Sequence, residues 1–275
     1  MKIPSEWVTR FTTMANAVQG WRGRVGGEPL FPQLGSELAA DDETFPDLPV
    51  SAVAYNGIVT AVEHLDFFVA ALDATERLYP AAHYTVLRPA LMGAAQAVWV
   101  LAPEAGVTRR ARALEIAVDD FNQERKLLPD AQELGGPDRQ AAVEQERGPL
   151  LELLRAAAEV AGQLDMPRAD KVREWTFNMT NVIKAAAEHT HGTGADTADI
   201  RASTRLLWRT QSGHAHGVPA SRRRLAGADD IVITGDGSAW AAVSTSFADV
   251  AAAMAASVLL LNDAWLLYDL RTQIA

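Results

Sequence analysis

The chain has no cysteine, which excludes disulfides, thiolate zinc sites and a cysteine nucleophile. Lysine is scarce, standing only at Lys2, Lys126, Lys171 and Lys184, and the net charge is −10. Such a balance argues against indiscriminate nucleic-acid binding, which draws on cationic surface. No apolar core of a signal peptide follows Met1. The longest apolar run, Val250 to Leu261, falls short of the ~20 residues a membrane span needs, so no membrane partner is expected. Gly235-Asp236-Gly237 is followed by no phosphate-loop lysine. No strand–helix alternation suggests a parallel sheet. These absences leave a cytoplasmic protein as the expectation.

What remains is mostly helical. The 275 residues are 48% hydrophobic, enough for a sizeable core. Ile3, Trp7, Phe11, Met14, Val18 and Trp21 recur at helical spacing after Pro4, Ser5 and Glu6, which suit a helix start. Helices are expected over about 50–78, 83–101 (kinked or restarted at Pro89), 108–128, 138–164, 168–188, 196–217 and 246–272. Met92-Gly93-Ala94-Ala95 offers small side chains that would let a neighbouring helix come close. Asp236-Gly237, between two apolar stretches at about 229–234 and 239–244, is a hairpin signal. The fold class is therefore mainly α: a single domain over 1–275, a bundle of about seven to nine helices with one small β-hairpin near the C-terminus. Glycine, proline and acidic residues between Arg22 and Pro49 read as a flexible surface loop, so that removing residues 24 to 44 should cost little stability.

One stretch carries proton-transfer and phosphate-binding residue types together: Trp208-Arg209-Thr210-Gln211-Ser212-Gly213-His214-Ala215-His216-Gly217. Arginine is a permanent cation suited to phosphate, and histidine exchanges protons near neutral pH. At ~100° per residue, Arg209 and His216 lie roughly 20° apart on one helix face, and Arg209 and His214 roughly 140° apart. His216 is thus the better partner of Arg209, with His214 the second candidate. Arg201 and Arg205 precede them at four-residue steps, and Arg222, Arg223 and Arg224 follow, so a local positive face on an acidic protein is compatible with the sequence.

Arginine followed by four to six residues and a histidine resembles the signature of the HEPN superfamily of helical proteins. Arg209 to His214 and Arg209 to His216 both fit. The surrounding Ser-Gly-X-Ala-His-Gly, the loop, the hairpin and the closing helix resemble an actinobacterial branch related to those domains. Arg88-Pro89-Ala90-Leu91 with Trp99 resembles it too, although no acidic residue follows Arg88 within Met92 to Ala95. The resemblance implies a metal-independent RNA-cleaving effector with a toxin or phage-defence role, acting as a homodimer on RNA without a cofactor. Arg209, His216 and His214 would be catalytic, and Arg205, Arg222, Arg223 and Arg224 would hold the RNA. The spacing alone is weak: with six histidines among abundant arginines, about one match arises by chance. Arg77 and His83 also fit, yet Pro80 stands between them.

The alternative is a catalytically inert helical scaffold that binds a partner or small ligand. Histidines in a last helical turn are favoured by the C-terminal dipole, and Gly217 is an ordinary helix stop. Glu63, His64 and Asp66 form a polar cluster beside Phe67 and Phe68, with Glu63 and His64 as candidate binding residues. His189-X-His191 and His214-X-His216, with Glu63, His64 and Asp66, could supply metal ligands, but the Glu-X-X-His spacing of di-iron bundles is absent and no metal site is expected. The two readings diverge on burial: a nuclease exposes Arg209 and His216, and a scaffold buries them or pairs them with acids.

Overall fold

The computed structural model describes residues 3–28, 30–218, 231–236, 239–241 and 245–274. Among them are nine α-helices: α1 (Ser5–Val25), α2 (Glu37–Asp42), α3 (Val50–Thr75), α4 (Pro80–Leu101), α5 (Gly106–Glu133), α6 (Pro137–Gln163), α7 (Met179–His191), α8 (Ala198–Ala215) and α9 (Phe247–Thr272). The protein is mainly α. Two three-residue strands, β1 (Ile231–Ile233) and β2 (Ala239–Ala241), pair antiparallel with Val232 opposite Trp240. The rest of the expected hairpin, at 229, 230, 237, 238 and 242–244, lies outside the described residues.

The chain divides into two compact units, Met1–Leu30 with Asn56–Trp99 and Met179–Leu267, and Phe31–Tyr55 with Val100–Asn178 and Tyr268–Ala275. The divisions near 55, 99 and 267 fall inside α3, α4 and α9, so no linker composition marked them in the sequence.

In the first unit the apolar faces of α3, α4 and α9 supply the core. Ile58, Val62, Leu65, Leu87, Leu91, Met254 and Leu260 are fully or almost fully buried. A Cβ built on Gly57 would stand 2.6 Å from the carbonyl oxygen of Gly93, and one on Gly93 would collide with the carbonyl of Gly57. Only glycine permits so close a helix crossing. Ser246 caps α9 reciprocally: its hydroxyl accepts from the Asp249 amide (3.1 Å), and the Asp249 carboxylate accepts from the Ser246 amide (3.2 Å). By length and composition α9 could cross a membrane, but 61% of its apolar window is buried within the protein.

The second unit packs α5 against α6 around Leu114, Val118, Phe121, Leu154 and Ala157. Here two expectations change. The segment 22–49 is not one irregular loop: α1 runs on to Val25, and α2 occupies Glu37–Asp42 with Leu38 fully buried. The cause is long-range. The Arg109 guanidinium, 3% exposed, donates to Asp41 (2.5 Å) and to the carbonyls of Pro103 and Glu104, and pairs with Glu37 (2.9 Å). Arg271 also bonds Glu37 and donates to the Leu101 carbonyl. Ser51 donates its amide and hydroxyl to Asp42, at 2.9 and 2.7 Å. These bonds fix α2 in place, although its sequence is too short to show a periodicity.

The other change concerns the expected helix over 168–188. A 3₁₀ turn spans Ala169–Glu174, an irregular stretch follows, and α7 begins only at Met179. Arg168 is left-handed (φ 58°), and the Trp175 indole donates to its carbonyl (3.0 Å). Asn122 of α5 donates to the Val172 carbonyl (3.0 Å), taking an oxygen that a continuing helix would use. Pro89, Pro129 and Pro149 all lie inside helices.

Candidate functional site

Helix α8 carries the Arg–His stretch and has firm ends. Arg201 reaches back to the α7–α8 turn, donating to the carbonyls of Gly192 (2.5 Å) and Gly194 (3.0 Å) and to the Thr197 hydroxyl (2.6 Å). It therefore clamps the turn. At the other end Gly217 is left-handed (φ 65°), with Gly217 N–H bonded to His214 O (3.1 Å) and Val218 N–H to Gly213 O (2.8 Å). That pair of bonds is a Schellman stop, for which glycine is the favoured residue.

Between these ends the helix has two unlike faces. Thr204, Trp208, Gln211 and His214 are buried. Arg209 and His216 are exposed and Arg205 is half-buried. Among the described residues, neither Arg205 nor Arg209 makes a side-chain hydrogen bond or an ion pair, whereas Arg22, Arg109, Arg147, Arg155, Arg168 and Arg271 all pair with carboxylates. His216 sits at the cap position, its amide bonded to Ser212 O (3.1 Å). The helix so presents, along one face, two guanidiniums without carboxylate partners among the described residues and an exposed imidazole.

The inward face meets α4. The His214 ring stacks on Tyr84 with centroids 5.1 Å apart and planes 10° from parallel. One turn along α4, the Arg88 guanidinium lies 4.9 Å above the Trp208 ring. Arg88 has no carboxylate partner among the described residues, and burial pushes its guanidinium below the usual value. Burial raises the Tyr84 hydroxyl, with Asp249 adding to the shift and Thr245 opposing it. The Gln211 amide is fully buried, and neither its nitrogen nor its oxygen has a hydrogen-bond partner among the described residues.

Of the residues singled out in the sequence, Arg209, His216 and Arg205 come together on one face, and His214 does not join them. Glu63 is exposed and His64 half-buried on α3, and among the described residues no hydrogen bond or ion pair joins either to α8. Asp66 pairs with Arg22 at 3.5 Å. Arg222, Arg223 and Arg224 lie outside the described residues. His189 stands 3.7 Å from Asp263, which also accepts from Thr190 (2.6 Å). Among the described residues no group of three or more histidines and acids is placed to hold a metal. His83, the other spacing match, is buried and bonds the Arg77 carbonyl (3.2 Å) across the α3–α4 turn.

Tyr84 escaped the sequence reading, and Arg88 entered it only through a resemblance. The available signal was an aromatic and a cation four residues apart, opposite Trp208, Gln211 and His214 at helical spacing. Compared with protein-family models, curated proteins and solved structures, the chain matches none.

Proposed function

We propose that the protein is a HEPN-type, metal-independent RNA-cleaving effector, acting in the cytoplasm in a toxin or phage-defence role, with its reacting centre at the C-terminal end of α8. The observation that carries this reading is the single face of α8 shared by Arg205, Arg209 and His216 on a protein of net charge −10, with neither arginine bonded to a carboxylate among the described residues. In the proposed reaction the ribose 2′-hydroxyl attacks the adjacent phosphorus. The 5′-oxygen of the next nucleotide leaves and takes up a proton, and a 2′,3′-cyclic phosphate remains. Arg209 offsets the extra negative charge on phosphorus, and Arg205 holds a neighbouring phosphate.

The step needs a base for the 2′-hydroxyl and an acid for the leaving oxygen. His214 is stacked inside the protein, so one chain offers a single proton carrier on the stripe, His216. A homodimer with two α8 ends facing each other would supply one imidazole for each role. Light scattering should then report a dimer, and a solution containing only the 29.6 kDa species would remove the composite site.

The test incubates single-stranded and structured RNA with wild type, Arg209→Ala and His216→Ala in excess chelator. Cleavage lost in both variants, with folding intact, supports the reading. Equal cleavage by all three marks a contaminant. No cleavage by any favours the inert scaffold, which the inward packing of Trp208, Gln211 and His214 supports as a second reading.

A further inference from the structure

In the second unit, α5 and the irregular segment between α6 and α7 line a cavity of about 240 Å³. Glu115 and Asp119, one turn apart on α5, contribute carboxylates, and Met166, Pro167, Trp175 and Phe177 contribute apolar and aromatic surface. The lining is held in place before any ligand arrives. Trp175 is tied to the Arg168 carbonyl, and the 3₁₀ turn before it is tied to Asn122. Arg168, the cation in the lining, is engaged by Glu174 at 2.6 Å. Glu115 is partly withdrawn from water, which raises its carboxyl above the usual range, with Arg112 opposing. Asp119 accepts a long bond from Gln123 (3.4 Å).

We propose that this cavity binds a small organic cation, an ammonium group carried on an apolar or aromatic skeleton. The ammonium would lie against Glu115 and Asp119, where a charge-assisted hydrogen bond replaces poor solvation of the carboxylate. The skeleton would lie on Trp175 and Phe177, whose ring faces attract cations and cover apolar carbon. An anion would meet two carboxylates, and a neutral analogue would add no positive charge beside them. The proposal is independent of α8 and of RNA cleavage.

The test uses the full chain and three probes of one shape: phenethylamine, 2-phenylethanol and phenylacetate, titrated by calorimetry near neutral pH. Phenethylamine should bind, the alcohol about tenfold more weakly, and phenylacetate not at all. Glu115→Gln and Asp119→Asn should each weaken phenethylamine several-fold without lowering the melting midpoint, Trp175→Leu should abolish it, and Trp175→Phe should retain most of it. Binding should strengthen as pH rises through the Glu115 titration. Equal affinity for amine and alcohol, unchanged binding in Glu115→Gln, or no phenethylamine binding at millimolar concentration would overturn the proposal.

Discussion

His214 lies flat on Tyr84, and His216, two residues later, stands in solvent. The pair separates structural from chemical roles within one motif. His214→Ala should lower stability by roughly 1–3 kcal/mol, through loss of a buried stacked ring, and His216→Ala should leave the denaturation midpoint unchanged. Urea titration of the two variants checks this. A large loss from His216→Ala would mean that the helix end, rather than a reacting group, depends on it.

The Arg109–Asp41 pair predicts that α2 is structural. Both side chains are almost wholly buried, so removing Asp41 leaves the buried Arg109 guanidinium only the half-exposed Glu37 and two carbonyls. Asp41→Ala should cost about 3–5 kcal/mol. Deleting residues 24 to 44 should lower the melting temperature sharply, the reverse of what composition alone suggests. Calorimetric melting of both proteins is the measurement.

The crossing of α3 and α4 predicts intolerance at two positions. Gly93→Ala places a methyl group against the Gly57 backbone, which cannot swing aside as a side chain would. Overpacking of this kind costs typically about 1–3 kcal/mol, and the same is expected of Gly57→Ala. Gly148→Ala, where a Cβ meets nothing, serves as the control.

His191 predicts a pH response. Burial lowers its imidazole below the ordinary value of 6.5, with Asp263 opposing and Arg201 adding. The folded state therefore binds this proton more weakly than the unfolded chain does. The stability contribution is present above the unfolded value and declines as pH falls through 6.5 towards the lower folded value. Midpoints measured between about pH 7 and 5 should fall, and His191→Gln should flatten the slope. An unchanged slope would mean that other groups set it.

The long helices were legible because their apolar residues repeat on a face. Of Val53, Ile58, Val62, Leu65, Val69 and Leu72, which helical spacing puts on one face of α3, all are buried except Val69, which is half-buried. The closeness at Gly93 was legible too, because small residues leave room. What escaped depends on partners far along the chain. Asp41 and Arg109 are 68 residues apart, and six residues of α2 carry no measurable period. Trp175 ends the run after 168 through an indole bond that composition does not show. At the candidate site, helical spacing separated His216 from His214, and the stacking partner on α4 stayed hidden.

The anchoring of α2 also decides where a protease can act. Phe31 and Leu34 are 80% and 89% exposed, on either side of Gln33, whose amide donates to the Thr272 carbonyl (2.9 Å). A chymotrypsin-like enzyme should nick the chain there and stop. The released N-terminal piece still packs Trp7 and Phe11 on Phe247, and Arg24 lies 3.8 Å above Trp265. The nicked protein should accordingly migrate as two fragments in denaturing gels and as one particle in native ones.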